Sequence, residues 1–410
     1  MGTAPFQYSG FRLFQIARFC IVFSTEMQSV AVGWQVYEIT RRPLDLGLTG
    51  LVQFLPGVFL FLVAGHAADR FDRRNLLTFC YVGYGLSSAL LLAVTLGAGL
   101  LYSGSVLPIF VILFLVGTVR CFAMPASRAL LPQLVPEEHF QSAVAWNSST
   151  FQAATILGPA IGGVLYAVFR GPAPVYGAAL FAAIAAAMTT LRIETGSHPR
   201  PREPFTLRTV LAGLHYIWTH KLVLGSISLD LFAVLLGGAV ALLRVYAKEI
   251  LKTGPWGLGL LRSAPAIGAG VMALLLAYRP IRRRAGRTML WCVGGFGVFM
   301  VVFGFSRSLP LSLVSLFLVG AADMVSVVVR GVLIQVETPD AMRGRVNAVD
   351  MIFIGASNEL GEFESGLAAQ WLGAVPAVVL GGLGTIAVTL LWAWMFPDLR
   401  RADQPKGTTV

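Results

Sequence analysis

The chain has 410 residues, of which 56% are hydrophobic and 12% are charged, and its mean hydropathy is +0.74. A soluble globular protein has about 25% charged residues, so this composition excludes that class and indicates a polytopic membrane protein. The formal net charge of +11 does not indicate nucleic-acid binding, because the cations stand in small groups between apolar runs and form no continuous basic face.

Apolar runs of membrane-spanning length recur along the whole chain. A spanning helix needs about 20 such residues, and runs of this length predict twelve spans. In the first half they are 12–39, 46–68, 75–101, 106–131, 140–169 and 173–193. In the second half they are 222–248, 256–278, 288–306, 309–334, 346–372 and 375–396. The sequence therefore predicts an all-α integral membrane protein made of two six-helix halves.

A polar stretch separates the two sets of spans. Residues 194–221 are rich in Pro and Arg, and they are too polar to cross a membrane and too long for a turn. We predict a cytoplasmic connector there, with 205–220 as an amphipathic surface helix, between an N-terminal half (1–193) and a C-terminal half with its tail (222–410). The positive-inside rule is met with both termini cytoplasmic, because the loops then predicted to be cytoplasmic hold about three times as many cations as the others.

A charged hairpin lies between predicted spans 2 and 3. The turn holds five charges, whereas the runs on either side hold no Asp, Glu, Lys or Arg. The arginines stand where the positive-inside rule places cytoplasmic charge. Topology does not require the acid at position 69, which is suited to accept from helix N-terminal amides or to pair with a neighbouring cation. The sequence therefore indicates a functional loop, and the alternative is that its charges only set the topology. The loop residues are Gly65, Asp69, Arg70, Arg73 and Arg74.

An internal repeat relates the two halves. Shifted by 209 residues, Gly50 and Pro56 fall on Gly259 and Pro265, and the hairpin cations also align. Asp69 has no acidic counterpart. Parallel repeats with a site between them are one transporter architecture, so the two halves are predicted to be pseudo-symmetric.

Ionisable side chains inside the predicted spans are the main functional signal. Each costs at least about 2.5–3.5 kcal/mol on insertion scales, so we interpret them as proton-coupling candidates: Glu26, Arg120, Asp230, Asp323, Glu359 and Glu362. Glu359 and Glu362 are three residues apart and share a helix face. Two carboxylates that close in a low dielectric do not both ionise, so one can load and release a proton. The alternative for any single acid is a structural ion pair with a buried arginine such as Arg120 or Arg330.

Predicted span 5 carries a helix-breaking proline among glycines, in Gly158, Pro159, Gly162 and Gly163. Proline removes a backbone hydrogen bond and bends a helix, while small residues allow another helix to approach closely. We favour a bend at a gate, and helix packing alone is the alternative.

Aromatic side chains form a weaker group of candidates. They are suited to line a substrate cavity, but periodicity does not distinguish a bundle interior from a lipid-facing surface when both are apolar. The residues are Trp34, Tyr37, Phe54, Trp146 and Phe353.

Signatures of enzymes and cofactor sites are absent from the sequence. There is no His/Cys ligand cluster, no Walker-type phosphate loop and no Gly-x-Ser-x-Gly elbow. The four cysteines have no paired spacing, which favours packing roles over disulfides or a metal site, and the first residues do not resemble a removable signal peptide. We therefore predict no catalytic residue, cofactor or metal, and energy drawn from an ion gradient.

These motifs resemble those of the major facilitator superfamily over nearly the whole chain. The loop 65–74 is similar to the superfamily's motif between spans 2 and 3, with Asp72 in the place of a Gly. Arg120 stands at the span-4 arginine, and 158–163 resembles the span-5 antiporter motif, with Ala154 replacing its leading Gly. Four stretches resemble the bacterial branch that includes the enterobactin exporter and the transmembrane secretion effectors. They are 28–37, 69–74, 338–346 and 355–366.

The resemblance implies a multi-pass exporter in the bacterial inner membrane that moves a small siderophore- or drug-like molecule by alternating access and proton antiport. By analogy, Asp69 and the loop arginines latch the outward-facing form, Arg120 couples to protonation, and the span-5 bend limits leakage. We expect a monomer whose partners are substrate, protons and the lipid bilayer, with no nucleic acid. A lipid or lysophospholipid flippase and a proton-coupled importer are alternatives on the same fold. A non-transporting receptor or scaffold is the third alternative, and the energetic cost of the buried charges argues against it.

Overall fold

The computed structural model describes residues 4–97, 105–194, 207–279, 281 and 284–402, which are mostly helical and contain no β-strand. The first set of helices is α1 (Ser9–Thr40), α2 (Pro43–Arg70), α3 (Arg73–Thr95), α4 (Leu107–Leu130), α5 (Phe140–Phe169) and α6 (Ala173–Leu191). The second set is α7 (Leu207–Thr219), α8 (Lys221–Gly237), α9 (Leu243–Val245), α10 (Gly254–Tyr278), α11 (Ala285–Phe305), α12 (Leu309–Glu337), α13 (Asp340–Leu372), α14 (Ala374–Met395) and α15 (Pro397–Arg401).

Ten helical segments in the described part of the chain are long and apolar enough to cross a membrane. They are Pro43–Phe61, Arg73–Thr95, Leu107–Gln133, Glu137–Phe169, Ala173–Leu191, Lys221–Ile250, Gly254–Tyr278, Ala285–Phe305, Leu309–Glu337 and Ala374–Met395. The protein is thus an all-helical, multi-pass membrane protein.

Two further helices, α1 and α13, lie where the sequence predicts spans 1 and 11. They have 32 and 33 residues, so their length exceeds what a bilayer requires. Their composition is more polar, because α1 carries Glu26 and Glu38 and α13 carries several acids that include Asp350. The first and eleventh spans therefore remain predictions.

The predicted span 222–248 is not one regular helix. α8 ends at Gly237, and the chain continues through a 3₁₀ turn, the short α9 and a π-helical turn at Tyr246–Ile250. The break is supported from α13, since the Ser365 hydroxyl donates to the carbonyl of Gly238 at 2.9 Å. Non-helical backbone at membrane depth needs such internal partners, because no water is there to satisfy it.

The chain forms two compact units. Unit 1 consists of residues 1–41, 52–205 and 253–263. Its apolar core is built from α1, α3, α4, α5 and α6, with Phe11, Phe14 and Leu77 fully buried. The first turns of α10 belong to this unit, because Gly163 of α5 lies against them.

Unit 2 consists of residues 42–51, 206–252 and 264–410. Its core lies between α8, α11, α12 and α14, and a second cluster packs α7 against α8 and α13. The first turns of α2 belong to this unit, since a Cβ on Gly47 would lie 2.9 Å from the Cα atom of Phe363. A helix is present where the connector was predicted to carry one, with Ile217 of α7 buried, while 195–206 lie outside the described residues.

Candidate functional site

The hairpin between α2 and α3 is held by its own side chains. α2 contains Gly65 and ends at Arg70. Asp72 caps α3, because its Oδ1 atom accepts a hydrogen bond from the backbone N–H of Asn75 at 2.8 Å. The Asp69 side chain lies outside the described part of the chain, so the latch assigned to it stays a prediction.

The next two arginines bind the ends of neighbouring helices. Arg73 Nη1 donates to the carbonyl of Ala129, in the last turn of α4, at 3.5 Å. Arg74 Nη1 donates to the carbonyl of Ile193, just beyond α6, at 3.3 Å. Cations are favoured at the C-terminal end of a helix dipole, so the loop ties three helix ends of unit 1 together.

A charged cluster in unit 1 contains Glu26 and a cation that the sequence reading did not single out. The Glu26 Oε2 atom lies 3.8 Å from Nη2 of Arg262, and the two side chains are 26% and 15% exposed. Arg120 of α4 lies in the same electrostatic neighbourhood. Protonation of Glu26 would remove this counter-charge, so we predict that it weakens the contact with α10.

The glycines of α5 lie where other helices approach it. A Cβ on Gly158 would lie 2.7 Å from the Glu26 Cβ atom, and one on Gly162 would lie 2.9 Å from the Met27 carbonyl oxygen. On the other side, a Cβ on Gly163 would lie 3.0 Å from the Cα atom of Gly259. α5 runs as one helix from Phe140 to Phe169 through Pro159. These contacts require small residues, while a bend that acts as a gate remains a prediction.

A second charged cluster lies in unit 2, on three helices. Arg330 of α12 binds Asp230 of α8 through Nη1 and Oδ2, and its Nε atom lies 3.7 Å from Oδ1 of Asp350 on α13. Arg330 and Asp230 are both buried. Asp323, two turns before Arg330 on α12, interacts electrostatically with both of them. The structural ion pair considered for Asp230 is therefore present, and Asp323 stands beside it.

A small cavity of about 10 Å³ opens next to this cluster. Its polar lining is Asp230, Asp323 and Ser326, and the rest is apolar. Ser326 is 1% exposed, and its hydroxyl has no hydrogen-bond partner among the described residues. A buried hydroxyl without a partner is uncommon.

Glu359 and Glu362 also lie close together. A Cβ on Gly50, in the first half of α2, would lie 3.2 Å from Oε2 of Glu359 and 2.9 Å from Oε2 of Glu362. The two carboxylates thus face the same glycine of α2. This arrangement agrees with the three-residue spacing, which predicts that both side chains share one helix face. Their role in proton coupling stays a prediction.

The five aromatic candidates do not form one group. Trp34 and Tyr37 are buried in unit 1, and Trp146 packs edge-on against Phe6 with ring centroids 4.9 Å apart. Phe54 of α2 is partly buried. Phe353 packs against the cluster formed by α7, α8 and α13 in unit 2.

A polar network that was not predicted from the sequence lies at the end of α1. Glu38 accepts from Nε1 of Trp34 at 2.8 Å and from the Tyr166 hydroxyl at 3.1 Å. In the neighbouring turn, the Tyr176 hydroxyl donates to Oε1 of Gln35 at 2.7 Å. Glu38 follows Trp34 by four residues, which was a signal available in the sequence, whereas its contact with α5 depends on tertiary packing.

Within the described ranges, no group of three or more His, Cys, Asp or Glu side chains is placed to hold a metal ion.

Comparison with known proteins finds one family and several relatives that match most of the chain. A family model described as transmembrane secretion effector matches residues 1–406. The enterobactin exporter EntS of Citrobacter koseri is 27% identical over 407 residues, covering 97% of this chain and 94% of the relative. The EntS protein of Shigella boydii is 27% identical over 406 residues, again covering 97% and 94%.

Solved structures share the fold at low sequence identity. The nucleoside transporter NupG aligns with a TM-score of 0.72 and 13% identity, covering 94% of this chain and 99% of its own. A POT family transporter in complex with a thioalcohol-conjugated peptide aligns with a TM-score of 0.74 and 13% identity, covering 95% and 96%. A bacterial homologue of the human lysosomal transporter Spinster, inward-facing and unoccupied, aligns with a TM-score of 0.69 and 12% identity, covering 98% and 97%.

Fold, buried charges and these likenesses define a membrane transporter of the major facilitator type, which is not an enzyme. The chain belongs to the transmembrane secretion effector family.

Proposed function

We propose that this protein exports a small organic molecule, siderophore- or drug-like, across the bacterial inner membrane in exchange for protons, by alternating access. The relatives named as enterobactin exporters support export. At 27% identity they support a class of cargo and do not name this chain's own substrate.

The observation that carries the proposal is the excess of acid over base in the unit 2 cluster. Asp230, Asp323 and Asp350 share the single guanidinium of Arg330. Unbalanced charge at membrane depth is expensive, and protonation of one carboxyl removes part of that cost. A group that gains a proton in one state and loses it in another couples the proton gradient to a conformational change.

We extend the proposal to topology and assembly. Twelve spans include α1 and α13, whose lengths suffice to cross the bilayer. Both termini are then cytoplasmic, the connector at 194–221 separates two six-helix halves, and the protein works as a monomer.

The test uses everted inner-membrane vesicles from a host without its own efflux pumps. Respiration acidifies the vesicle interior, and a pH-sensitive dye reports proton release when a candidate substrate is added. Wild-type protein is expected to release protons in a substrate-dependent manner, and Asp323→Asn is expected to abolish the release while remaining folded.

The matched control is Glu138→Gln, because the Glu138 side chain is 74% exposed and its contact is His139. The control should behave as wild type. Substrate-dependent proton release by Asp323→Asn at the wild-type rate would remove that acid from the mechanism. Accumulation only in right-side-out vesicles with acid outside would show an importer, and movement of labelled lipid in place of solute would show a flippase.

A further inference from the structure

Arg18 of α1, which the proton-coupling proposal does not use, is directed at two other helices of unit 1. Its Nη1 atom donates a hydrogen bond to the Ser127 hydroxyl of α4 at 3.3 Å, and its Cζ atom lies 5.6 Å from the centre of the Phe151 ring on α5. An arginine that only anchors a span extends its charge toward the lipid headgroups. Here the guanidinium is instead held between three helices, as a preorganised binding group requires.

The charge of Arg18 has no acidic partner within ion-pair distance among the described residues. Glu26, the next acid along α1, lies about 12 Å further along the helix axis and contacts Arg262. Arg128 of α4 interacts electrostatically with Arg18 and adds positive charge. An uncompensated charge inside a span is costly, and a bound anion removes part of that cost.

Two amide side chains stand beside Arg18 and Phe151. Gln15 precedes Arg18 by three residues, so the two share a face of α1. Gln15 is 5% exposed, and its Nε2 and Oε1 atoms have no hydrogen-bond partner among the described residues. The same is true of Oδ1 of Asn147, one turn before Phe151 on α5, and of Nε of Arg18. Buried polar atoms without partners are uncommon, so this cluster has more hydrogen-bonding capacity than the helices use.

One side of the cluster is accessible, and it combines a cation with apolar surface. Phe151 is 42% exposed, Met124, one turn before Ser127 on α4, is 49% exposed, and Arg18 is half-buried. The planar guanidinium matches the geometry of a carboxylate, while the exposed ring of Phe151 packs well against another ring. This pair suits an acidic group on an aromatic body and repels an organic cation.

We propose that Arg18 binds the acidic group of the transported molecule, with Ser127 and Phe151 holding the guanidinium in place, and that the cargo is an organic anion such as an aromatic carboxylate. The inference rests on the transport function proposed above and names its class of substrate. Arg18 is then a determinant of specificity that selects cargo by charge.

Direct binding of two dyes to the purified full-length protein tests the site without a gradient. The protein is placed in phosphatidylcholine nanodiscs, and fluorescence polarisation follows fluorescein or a rhodamine ethyl ester. The two dyes share a ring system, but fluorescein carries a free carboxylate and the rhodamine ester is a cation. Fluorescein should bind saturably, and the rhodamine ester at least about tenfold more weakly. An Arg18 that only anchors the protein to phosphate headgroups would give no saturable fluorescein binding, which would overturn the proposal.

Variants locate the site. Arg18→Gln should weaken fluorescein binding about tenfold or more, the loss expected for one bond to a charged group. Arg18→Lys should recover part of the affinity, because lysine keeps the charge and lacks the planar fork. Ser127→Ala leaves the charge in place and should weaken binding about threefold, which keeps the test open if Arg18→Gln does not fold. Arg192→Gln, at an exposed arginine after α6, should bind as wild type.

Two results would overturn the inference. They are equal affinities for the two dyes, and fluorescein binding by folded Arg18→Gln at the wild-type affinity. Fluorescein binding through Arg18 without proton release in vesicles would count against the transport proposal alone. Proton release by a protein whose fluorescein binding does not depend on Arg18 would count against this inference alone.

Discussion

Glu26 of α1 lies 3.8 Å from Arg262 of α10, two residues distant in the sequence that meet within unit 1. Both side chains keep some exposure, so the pair is neither a surface contact nor a sealed core pair. We predict that this contact stabilises the packing of α1 against the first turns of α10 and that it weakens when Glu26 takes up a proton.

A double-mutant cycle should measure this pair. Glu26→Gln and Arg262→Gln should each lower the melting temperature, because each leaves a charge without its partner, and the double variant should lose less than the two combined. A coupling energy of about 0.5–3 kcal/mol is expected for residues in contact. Arg192→Gln, at an exposed arginine after α6, is the control, and strict additivity would contradict the pairing.

Arg330 should be the most sensitive cation of unit 2. Arg330→Met leaves Asp230 buried without its guanidinium, and breaking a buried pair costs about 3–5 kcal/mol. The yield of monodisperse protein in size-exclusion chromatography should fall sharply, and Asp230→Asn/Arg330→Met should recover part of it. Arg287→Met, at an exposed position of α11, should have little effect. Normal yield from Arg330→Met would show that the guanidinium is not structural.

Two glycines of unit 1 should respond differently to replacement by alanine. At Gly158 a Cβ would lie 2.7 Å from the Glu26 Cβ atom, whereas at Gly177 nothing lies within 4 Å. Overpacking costs about 1–3 kcal/mol, so Gly158→Ala should lower the melting temperature. Gly177→Ala should leave it unchanged or raise it, because alanine is the better helix former by about 1 kcal/mol. Equal shifts would argue against the close approach of α1 and α5.

The cap of α3 should be measurable on its own. Asp72→Ala removes the acceptor for the Asn75 amide and should cost about 0.5–2 kcal/mol. Asp72→Asn keeps an acceptor oxygen and should retain most of the stability. Hydrogen exchange at the Asn75 amide should quicken in the alanine variant and not in the asparagine variant, and equal exchange in both would show that the cap is unimportant.

Much of the helical framework could be predicted from composition alone, because apolar runs of spanning length have one stable form in a bilayer. The interruption after α8 was signalled only by Gly237 and Gly238, and the Ser365 contact that supports it joins distant segments. Hydropathy reports that a helix is apolar and does not report which side faces a neighbour.

The pairing of charged residues within the two clusters could not be predicted from the sequence either. The sequence suggested Arg330 as an ion-pair partner for a buried acid. Identifying that acid as Asp230 requires knowledge of how α8 and α12 are oriented toward each other, which the sequence does not give. Arg262 and Asp350 were visible as charges inside predicted spans 8 and 11, but their importance emerged only with their partners in place. Ser326 carried no signal at all, because a serine in an apolar helix is ordinary until its hydroxyl is found without a partner.

The assignment of the first turns of α2 to unit 2, and of the first turns of α10 to unit 1, bears on how the gene can be dissected. A cut in the connector yields two fragments, each carrying a short helical piece that completes the other's fold. Either fragment made alone would expose glycine-lined surfaces such as that around Gly163, which are then open to misassembly and proteolysis. Split-gene complementation should therefore succeed only when both fragments are synthesised in the same membrane.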